Sequence, residues 1–192
     1  MKHALAAAVA LSLAAPLSVP AMAQMMDEDA MIAEQQAAMD AFAWMDGTWE
    51  GTVTSRTPEG EITLIQTERV GTISNGTIRM IEGRGYTEEG ELEFNAAAMI
   101  VYDPETDEYG MMASARGRAT SPWFKATETG FEWGFETGPV KISYIATYAD
   151  GVWSEEGFMA FGENPPVKFL EMRLERTGDT DWPAAGAVEP AR

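Results

Sequence analysis

Strand-forming residues interrupted by turn sequences occupy most of this chain, from Trp49 to Arg176. The stretch is rich in Thr, Val, Ile, Tyr, Phe and Trp, the residue types that favour β-strands. Turn sequences recur along it, among them TPEG at 57–60, TEEG at 87–90 and ADG at 149–151. Because no long helical pattern separates the segments, we predict about ten strands joined as an antiparallel meander rather than as β-α-β units.

Alternation of side chains within these segments indicates that the sheet has one buried face. In residues 131–136, Phe, Trp and Phe alternate with Glu, Gly and Glu. An open sheet of about ten strands would leave two exposed edges, and closure into a barrel removes them. The predicted fold is therefore an all-β, about ten-stranded antiparallel barrel, and a two-sheet sandwich is the alternative that the pattern leaves open.

The first 23 residues predict a secretory signal peptide. Lys2 precedes an apolar stretch at 4–15, and small residues stand at Ala21 and Ala23. The apolar stretch is shorter than the roughly 20 residues that cross a bilayer. We therefore expect cleavage after Ala23, export to the periplasm or the medium, and no membrane span.

One helix and one tail are predicted on either side of the barrel segment. Acidic residues crowd the start of residues 27–45, and apolar side chains follow at helical spacing. These side chains are Met31, Ala38, Phe42 and Met45. The helix is expected to cover one end of the barrel within a single domain at 24–177. Residues 178–192 are rich in Ala, Gly, Pro and acids, which predicts a mostly disordered tail with Trp182 on the surface.

Two absences and the net charge exclude several functional classes. The chain has no cysteine, and its single histidine, His3, lies in the predicted leader. Disulfides, thiolate nucleophiles, Ser-His-Asp catalysis and histidine-ligated zinc or haem are thereby excluded from the mature chain. The net charge of -18 repels phosphate backbones. We predict no metal, no cofactor and no nucleic-acid partner.

The hairpin around Asn75-Gly76 has the best-defined predicted geometry. A two-residue turn at this pair would place Arg69 opposite Glu82 and Thr67 opposite Arg84. The same face carries four apolar side chains, Ile65, Ile73, Ile78 and Met80, and we take it as the inward face. The opposite face is also mixed, since it carries Leu64, Gln66, Glu68, Val70, Arg79 and Ile81.

With this orientation, Glu82 would lie inside the barrel between Arg69 and Arg84, with Tyr86 at the end of the strand. Buried charges persist only when they are paired or when they meet a ligand. One hypothesis is that these residues bind the carboxylate or carbonyl of a ligand. The alternative is a salt-bridged cluster that stabilises the sheet.

A second group combines Arg116 and Arg118 with Trp123 and Phe124. Arginines beside aromatic side chains can hold an anion or stack on a flat ligand. In so acidic a chain we favour the alternative, in which both arginines pair with surface carboxylates.

The segment GTWEG at 47–51 is similar to the Gly-x-Trp opening of the lipocalin and calycin barrels. In this order, QTERV, RMIEGRGY, LEFNAAAMIVYDPETDEYGM, GFEWGFE and FLEMRLER resemble a family of exported bacterial lipocalin-like domains. The resemblance covers about residues 42–177. It implies that Trp49 begins the first strand and packs across the closed end of the barrel.

A more distant resemblance is to nitrobindin, a ten-stranded haem barrel, through the same opening and the closing stretch GFMAFGENPPVKFLEMRLER. In that family a histidine on the last strand ligates the haem iron. Its place is taken here by Phe169, which cannot ligate iron. The resemblance therefore implies the barrel without the histidine-ligated haem.

These observations predict a binding protein for a small apolar or amphipathic ligand. The predicted ligand-binding residues are Trp49, Arg69, Glu82, Arg84, Tyr86 and Phe169. One alternative is an enzyme in which Glu82 acts as acid or base. The other is a barrel filled by its own side chains, whose outer face or tail docks an envelope partner.

Overall fold

The computed structural model describes the backbone of residues 20–186, without the side chains of residues 20–27 and of Ala185. Residues 1–19 of the predicted leader and 187–192 of the predicted tail lie outside the described residues. The described part begins with helix α1 (Pro20–Asp40), which a 3-10 turn at Ala43–Met45 follows. The helix thus ends before Met45, the predicted end, because the chain tightens there to enter the first strand.

Eleven β-strands follow in the described residues. They are β1 (Gly47–Thr57), β2 (Gly60–Ile73), β3 (Ile78–Tyr86), β4 (Leu92–Asp103), β5 (Glu108–Ala115), β6 (Arg118–Thr120), β7 (Trp123–Thr127), β8 (Gly130–Thr137), β9 (Val140–Ala149), β10 (Val152–Phe161) and β11 (Val167–Gly178).

Ten of these strands form a closed antiparallel barrel. The pairing order is β4-β3-β2-β1-β11-β10-β9-β8-β7-β5, and pairing of β4 with β5 completes the ring. The short strand β6 pairs with β5 alone. Apart from β6, neighbours in sequence are neighbours in the sheet. The predicted all-β meander barrel is therefore confirmed, and the two-sheet sandwich is not formed. Residues 20–186 contain no helix with the length and apolar composition of a membrane span.

The pairing register of the hairpin β2–β3 is the one that the sequence predicts. Arg69 lies opposite Glu82, and Thr67 lies opposite Arg84. The connection is wider than the predicted two-residue turn, because the strands end at Ile73 and Ile78. Ser74 and Asn75 both have positive φ angles, of 52° and 57°, which lets the longer loop keep the same register.

The helix and the 3-10 turn close one end of the barrel. The side chains of Met39, Phe42 and Met45 are buried in the core cluster of this end. The indole N–H of Trp49 donates a 2.8 Å hydrogen bond to the carbonyl of Met45. Trp49 therefore lies in the first strand and packs at the closed end, where the lipocalin-like resemblance implies it to be.

Arg79, a buried arginine beneath the helix, joins the segments of the closed end to the wall of the barrel. Arg79 of β3 is 2% exposed and donates two 3.0 Å hydrogen bonds to the carboxylate of Asp46. The same guanidinium also donates to the main-chain carbonyl of Met39 in the last turn of α1. Arg79 thus ties β3 to both segments that cover the closed end.

The chain that follows β11 turns back onto β2. The guanidinium of Arg69 lies 4.5 Å from the ring centroid of Trp182, at cation–π distance. A Cβ atom at Gly71 would lie 2.0 Å from the main-chain oxygen of Trp182, so this close approach requires glycine. Trp182 therefore rests on the outside of the barrel, while the predicted disorder of residues 187–192 falls outside the described residues.

Candidate functional site

A cavity of about 1230 Å³ occupies the end of the barrel opposite the helix. Its mouth is formed where strand ends and hairpin connections meet, near Ser55, Phe94, Arg116 and Thr137. Apolar side chains dominate the deeper wall, including Val53, Leu64, Ile81, Phe131, Trp153 and Met172. The barrel is therefore filled at one end and hollow at the other.

Small side chains explain why the barrel is hollow at this end. Ala96 and Ala98 of β4 and Ala113 and Ala115 of β5 face the cavity on neighbouring strands. At the closed end the corresponding volume is occupied by larger side chains such as Trp49, Phe124 and Phe131. A barrel of this strand number has room for one small ligand where its inward residues are small.

Two glutamates, Glu68 of β2 and Glu155 of β10, lie in the cavity wall. Glu68 is 9% exposed, and its Oε1 accepts a 2.7 Å hydrogen bond from Gln66 Nε2. Its other oxygen, Oε2, is buried without a hydrogen-bond partner. Glu155 Oε2 accepts a 3.3 Å hydrogen bond from the indole N–H of Trp133. Among the described residues, no lysine or arginine forms a salt bridge with either carboxyl group.

Burial shifts the titration of both carboxyl groups toward neutral pH. It raises the pKa of Glu68 to about 8, although the hydrogen bond from Gln66 opposes the shift. Burial likewise raises the pKa of Glu155 to about 7, against the hydrogen bond from Trp133. The negative charge of Glu155 raises the pKa of Glu68 further, so the two groups interact inside the cavity.

Glycine and aromatic side chains shape the space around these acids. A Cβ atom at Gly83 would lie 2.5 Å from Glu68 Oε1, so the absence of a side chain there makes room for the carboxyl group. The rings of Trp133 and Tyr144 stack with centroids 4.0 Å apart. Burial, together with the charge of Glu155, raises the pKa of Tyr144 as well, so this phenol stays neutral. Trp153 Nε1 is buried without a partner.

This arrangement can perform two kinds of chemistry. A carboxyl group that titrates near neutral pH can accept or donate a proton. When it is ionised and not paired with a basic residue of the chain, it can also bind a positively charged group. The two carboxyl groups lie in a concave, mostly apolar cavity, and small molecules bind in sites of this kind.

The predicted inward orientation of Arg69, Glu82 and Arg84 is wrong. The opposite face of β2 and β3, with Leu64, Gln66, Glu68 and Ile81, lines the cavity. Register determines which residues share a face, and both faces of this hairpin carry apolar and charged side chains. Which face points into the barrel depends on packing at the closed end, where Val70 and Arg79 are buried.

On the outer face, Glu82 forms the salt-bridged cluster that was the alternative to a ligand site. It accepts hydrogen bonds from Arg69, Arg84 and Asn95. Partial burial acts to raise the pKa of Glu82. Hydrogen bonds from Arg84 and Arg69 nevertheless hold this pKa below its ordinary value. Tyr86 ends β3 on the same face. A ligand role for Arg69, Glu82, Arg84 and Tyr86 stays a prediction, and the cavity wall does not include these residues.

The other two predicted site residues are in different places. Trp49 is 1% exposed within the core of the closed end. Phe169 lies beside a β-bulge between β10 and β11, with its ring centroid 5.8 Å from that of Tyr144 in the cavity wall. No histidine is present in residues 20–186, so the residues here do not fit a histidine-ligated haem.

Arg116 and Arg118 are at the mouth of the cavity rather than in a surface network. The guanidinium of Arg116 lies 5.5 Å from the ring centroid of Phe94. Trp123 is 47% exposed at the same rim, whereas Phe124 belongs to the buried core. The second predicted group is thus divided between the mouth and the closed end.

Gln66, Glu68 and Glu155 line the cavity but are not among the site residues that the sequence predicts. A usable signal existed for Glu155, because Trp153 at i−2 and Gly157 at i+2 share its face of the strand, whereas Glu68 has the polar Gln66 at i−2. An acid flanked at both i−2 and i+2 by apolar or small residues shares their face of the strand.

Comparison with known proteins gives the fold and no family. No family model matches the chain, and no curated protein does. The crystal structure of Rv2717c from M. tuberculosis is similar, with a TM-score of 0.55 and 12% sequence identity. The match covers 73% of this chain and 97% of that chain. This chain and Rv2717c therefore share a barrel fold.

Proposed function

We propose that this protein binds a small, largely apolar molecule inside its barrel. The observation that carries the proposal is the cavity of about 1230 Å³. Pockets that hold drug-sized ligands measure roughly 300–1,000 Å³, so this cavity has room for a whole small molecule. The packed-barrel alternative requires a filled interior, which this barrel has at its closed end alone.

The proposed setting is outside the cytoplasm. The predicted leader at 1–23 supports this setting, as does the resemblance to exported lipocalin-like domains. A carrier or sensor of an apolar molecule suits this setting, because such a molecule is poorly soluble in water and gains free energy when the barrel buries it. Mass spectrometry of the protein recovered from its host would show whether the chain begins at Gln24.

We expect the neutral dye N-phenyl-1-naphthylamine to bind the cavity and to gain fluorescence there. Ala113 lines the cavity, whereas its neighbour Met112 is 48% exposed on the outer face of the same strand. Ala113→Trp should fill part of the cavity and weaken dye binding about tenfold, the cost of roughly 1.4 kcal/mol of lost burial. Met112→Trp is the matched control and should bind like the parent protein.

Fluorescence titration measures both variants, and circular dichroism verifies that each one folds. Loss of dye binding in Ala113→Trp alone supports the cavity as the binding site. Absence of dye binding to the parent protein, or equal weakening by both variants, would overturn the proposed function.

A further inference from the structure

We propose that the cavity selects organic ammonium ions, meaning amines with an apolar body, by binding the ammonium group between Glu68 and Glu155. The inference rests on the proposed function, because it requires that the cavity accept a ligand. It adds the chemical class of that ligand and names the residues that recognise it.

The first support is a hydrogen-bond acceptor that the chain leaves unused. Glu68 is 9% exposed, lines the cavity, and has no partner for Oε2. Its Oε1 is already bonded to Gln66, which orients the carboxyl group. A buried acceptor without a partner costs free energy, and a ligand that donates to it recovers that cost. An ammonium group has up to three N–H donors and no acceptor.

The second support is that the described chain supplies no counterion to these acids. Arg69 and Arg84 are bonded to Glu82 outside the barrel, and Arg79 is bonded to Asp46 at the closed end. Arg116 and Arg118 line the cavity but are exposed at its mouth. A cation that enters the cavity is therefore the partner that the two carboxyl groups lack.

The third support is the surroundings of the acids. The stacked rings of Trp133 and Tyr144 line the cavity, and Trp133 also hydrogen-bonds Glu155. Aromatic faces bind cations and also bury an apolar body. The net charge of -18 attracts cations to the protein as a whole.

The pH dependence of binding follows from the same groups. An ammonium ion binds the ionised form of Glu68, whose pKa is raised to about 8 by burial. Glu155 in the cavity and Glu82 on the outer face both act on Glu68 with like charge, while the groups beside Glu155 are Trp133 and Tyr144. Binding below about pH 8 must therefore release a proton, and affinity for the amine should rise as the pH rises.

The experiment compares three probes that share one ring system. They are 1-naphthylmethylamine, which is a cation at neutral pH, 1-naphthalenemethanol, which is neutral, and 1-naphthoate, which is an anion. We expect the amine to bind about tenfold more tightly than the alcohol at about pH 7, because a hydrogen bond between an ammonium group and a carboxylate is stronger than one made by a neutral hydroxyl group. Its affinity should increase between about pH 6 and about pH 8, while that of the alcohol should not.

Two variants and a matched control locate the effect. Glu68→Gln and Glu155→Gln should each reduce the preference for the amine over the alcohol to less than about threefold. Both variants should still bind N-phenyl-1-naphthylamine. Glu93→Gln removes the same charge from an exposed position of β4 and should retain the full preference.

Equal binding of the amine and the alcohol would overturn the ammonium inference and leave the proposed cavity function standing, provided that the neutral dye binds. Tighter binding of 1-naphthoate would overturn it in favour of an anion held by Arg116 and Arg118. Failure of the dye to bind would remove the proposed function itself, so the two failures are distinguishable.

Discussion

Between about pH 5 and about pH 8, the free energy of unfolding is expected to fall by about 3 kcal/mol. The cause is the two carboxyl groups of the cavity wall, buried Glu68 with a pKa raised to about 8 and half-buried Glu155 with a pKa raised to about 7. In the unfolded chain both groups lose their protons near pH 4.5, whereas the folded protein retains them to higher pH. Raising the pH through this window therefore favours the unfolded state.

The size of the effect follows from proton linkage. One carboxyl group that is protonated in the folded state and ionised in the unfolded state costs about 1.4 kcal/mol per pH unit. Two such groups would lower the free energy of unfolding over this window by about twice the expected 3 kcal/mol. The fall is smaller because the cavity opens to solvent, and water that enters it stabilises the ionised forms. Glu82 acts in the opposite sense below about pH 4.5, because its pKa is lowered. Stability should therefore be greatest near pH 5.

Urea unfolding followed by tryptophan fluorescence at several pH values measures this dependence. Glu68→Gln should flatten the decline and raise stability at about pH 8 by about 2 kcal/mol, since the amide carries no charge to desolvate. Glu93→Gln, at an exposed position, should retain the slope of the parent protein. Identical slopes for the parent and Glu68→Gln would show that Glu68 is ionised in the folded state.

Removing the charge of Asp46 is expected to destabilise the protein by about 3 kcal/mol. Asp46→Asn preserves the shape of the side chain but leaves the guanidinium of Arg79, at 2% exposure, without its counterion. The loss should lie at the lower end of the range for buried ion pairs, because the side chain of Asp46 is 42% exposed. The closed end should be the part that loosens first, because Arg79 also bonds the last turn of α1.

A double-mutant cycle tests this role of Arg79. Arg79→Met fills similar volume without charge, so the pair Arg79→Met and Asp46→Asn should cost less than the sum of the single changes. Urea unfolding gives the three free energies, and hydrogen exchange of the amides of α1 shows where the structure opens. Additive effects of the two substitutions would mean that the buried pair contributes no coupling.

Binding of an amine in the cavity is expected to change how stability depends on pH. An amine bound by ionised Glu68 would reduce the fall in stability above about pH 6, because the ligand favours the same charged form that burial opposes. Adding 1-naphthylmethylamine at about pH 8 should therefore stabilise the parent protein more than it stabilises Glu68→Gln.

The architecture and the register of the hairpin β2–β3 were accessible from the sequence alone. Alternating side chains and frequent turn residues act over a few positions, and they specify strands and their order. The pairing of Arg69 with Glu82 also followed, because the short connection at 74–77 aligns the two strands locally. The ring of ten strands then arises because neighbouring hairpins leave two edges that pair with each other.

The identity of the inward face was decided by the tertiary structure. Local pairing is the same whichever face is buried, and both faces of this hairpin mix charged and apolar side chains. The outcome depends on the whole barrel and on the helix that closes it, because Arg79 is buried against Asp46 and Met39 on one face. On that same face, Glu68 reaches the cavity, where Gly83 of the neighbouring strand leaves room for its carboxyl group.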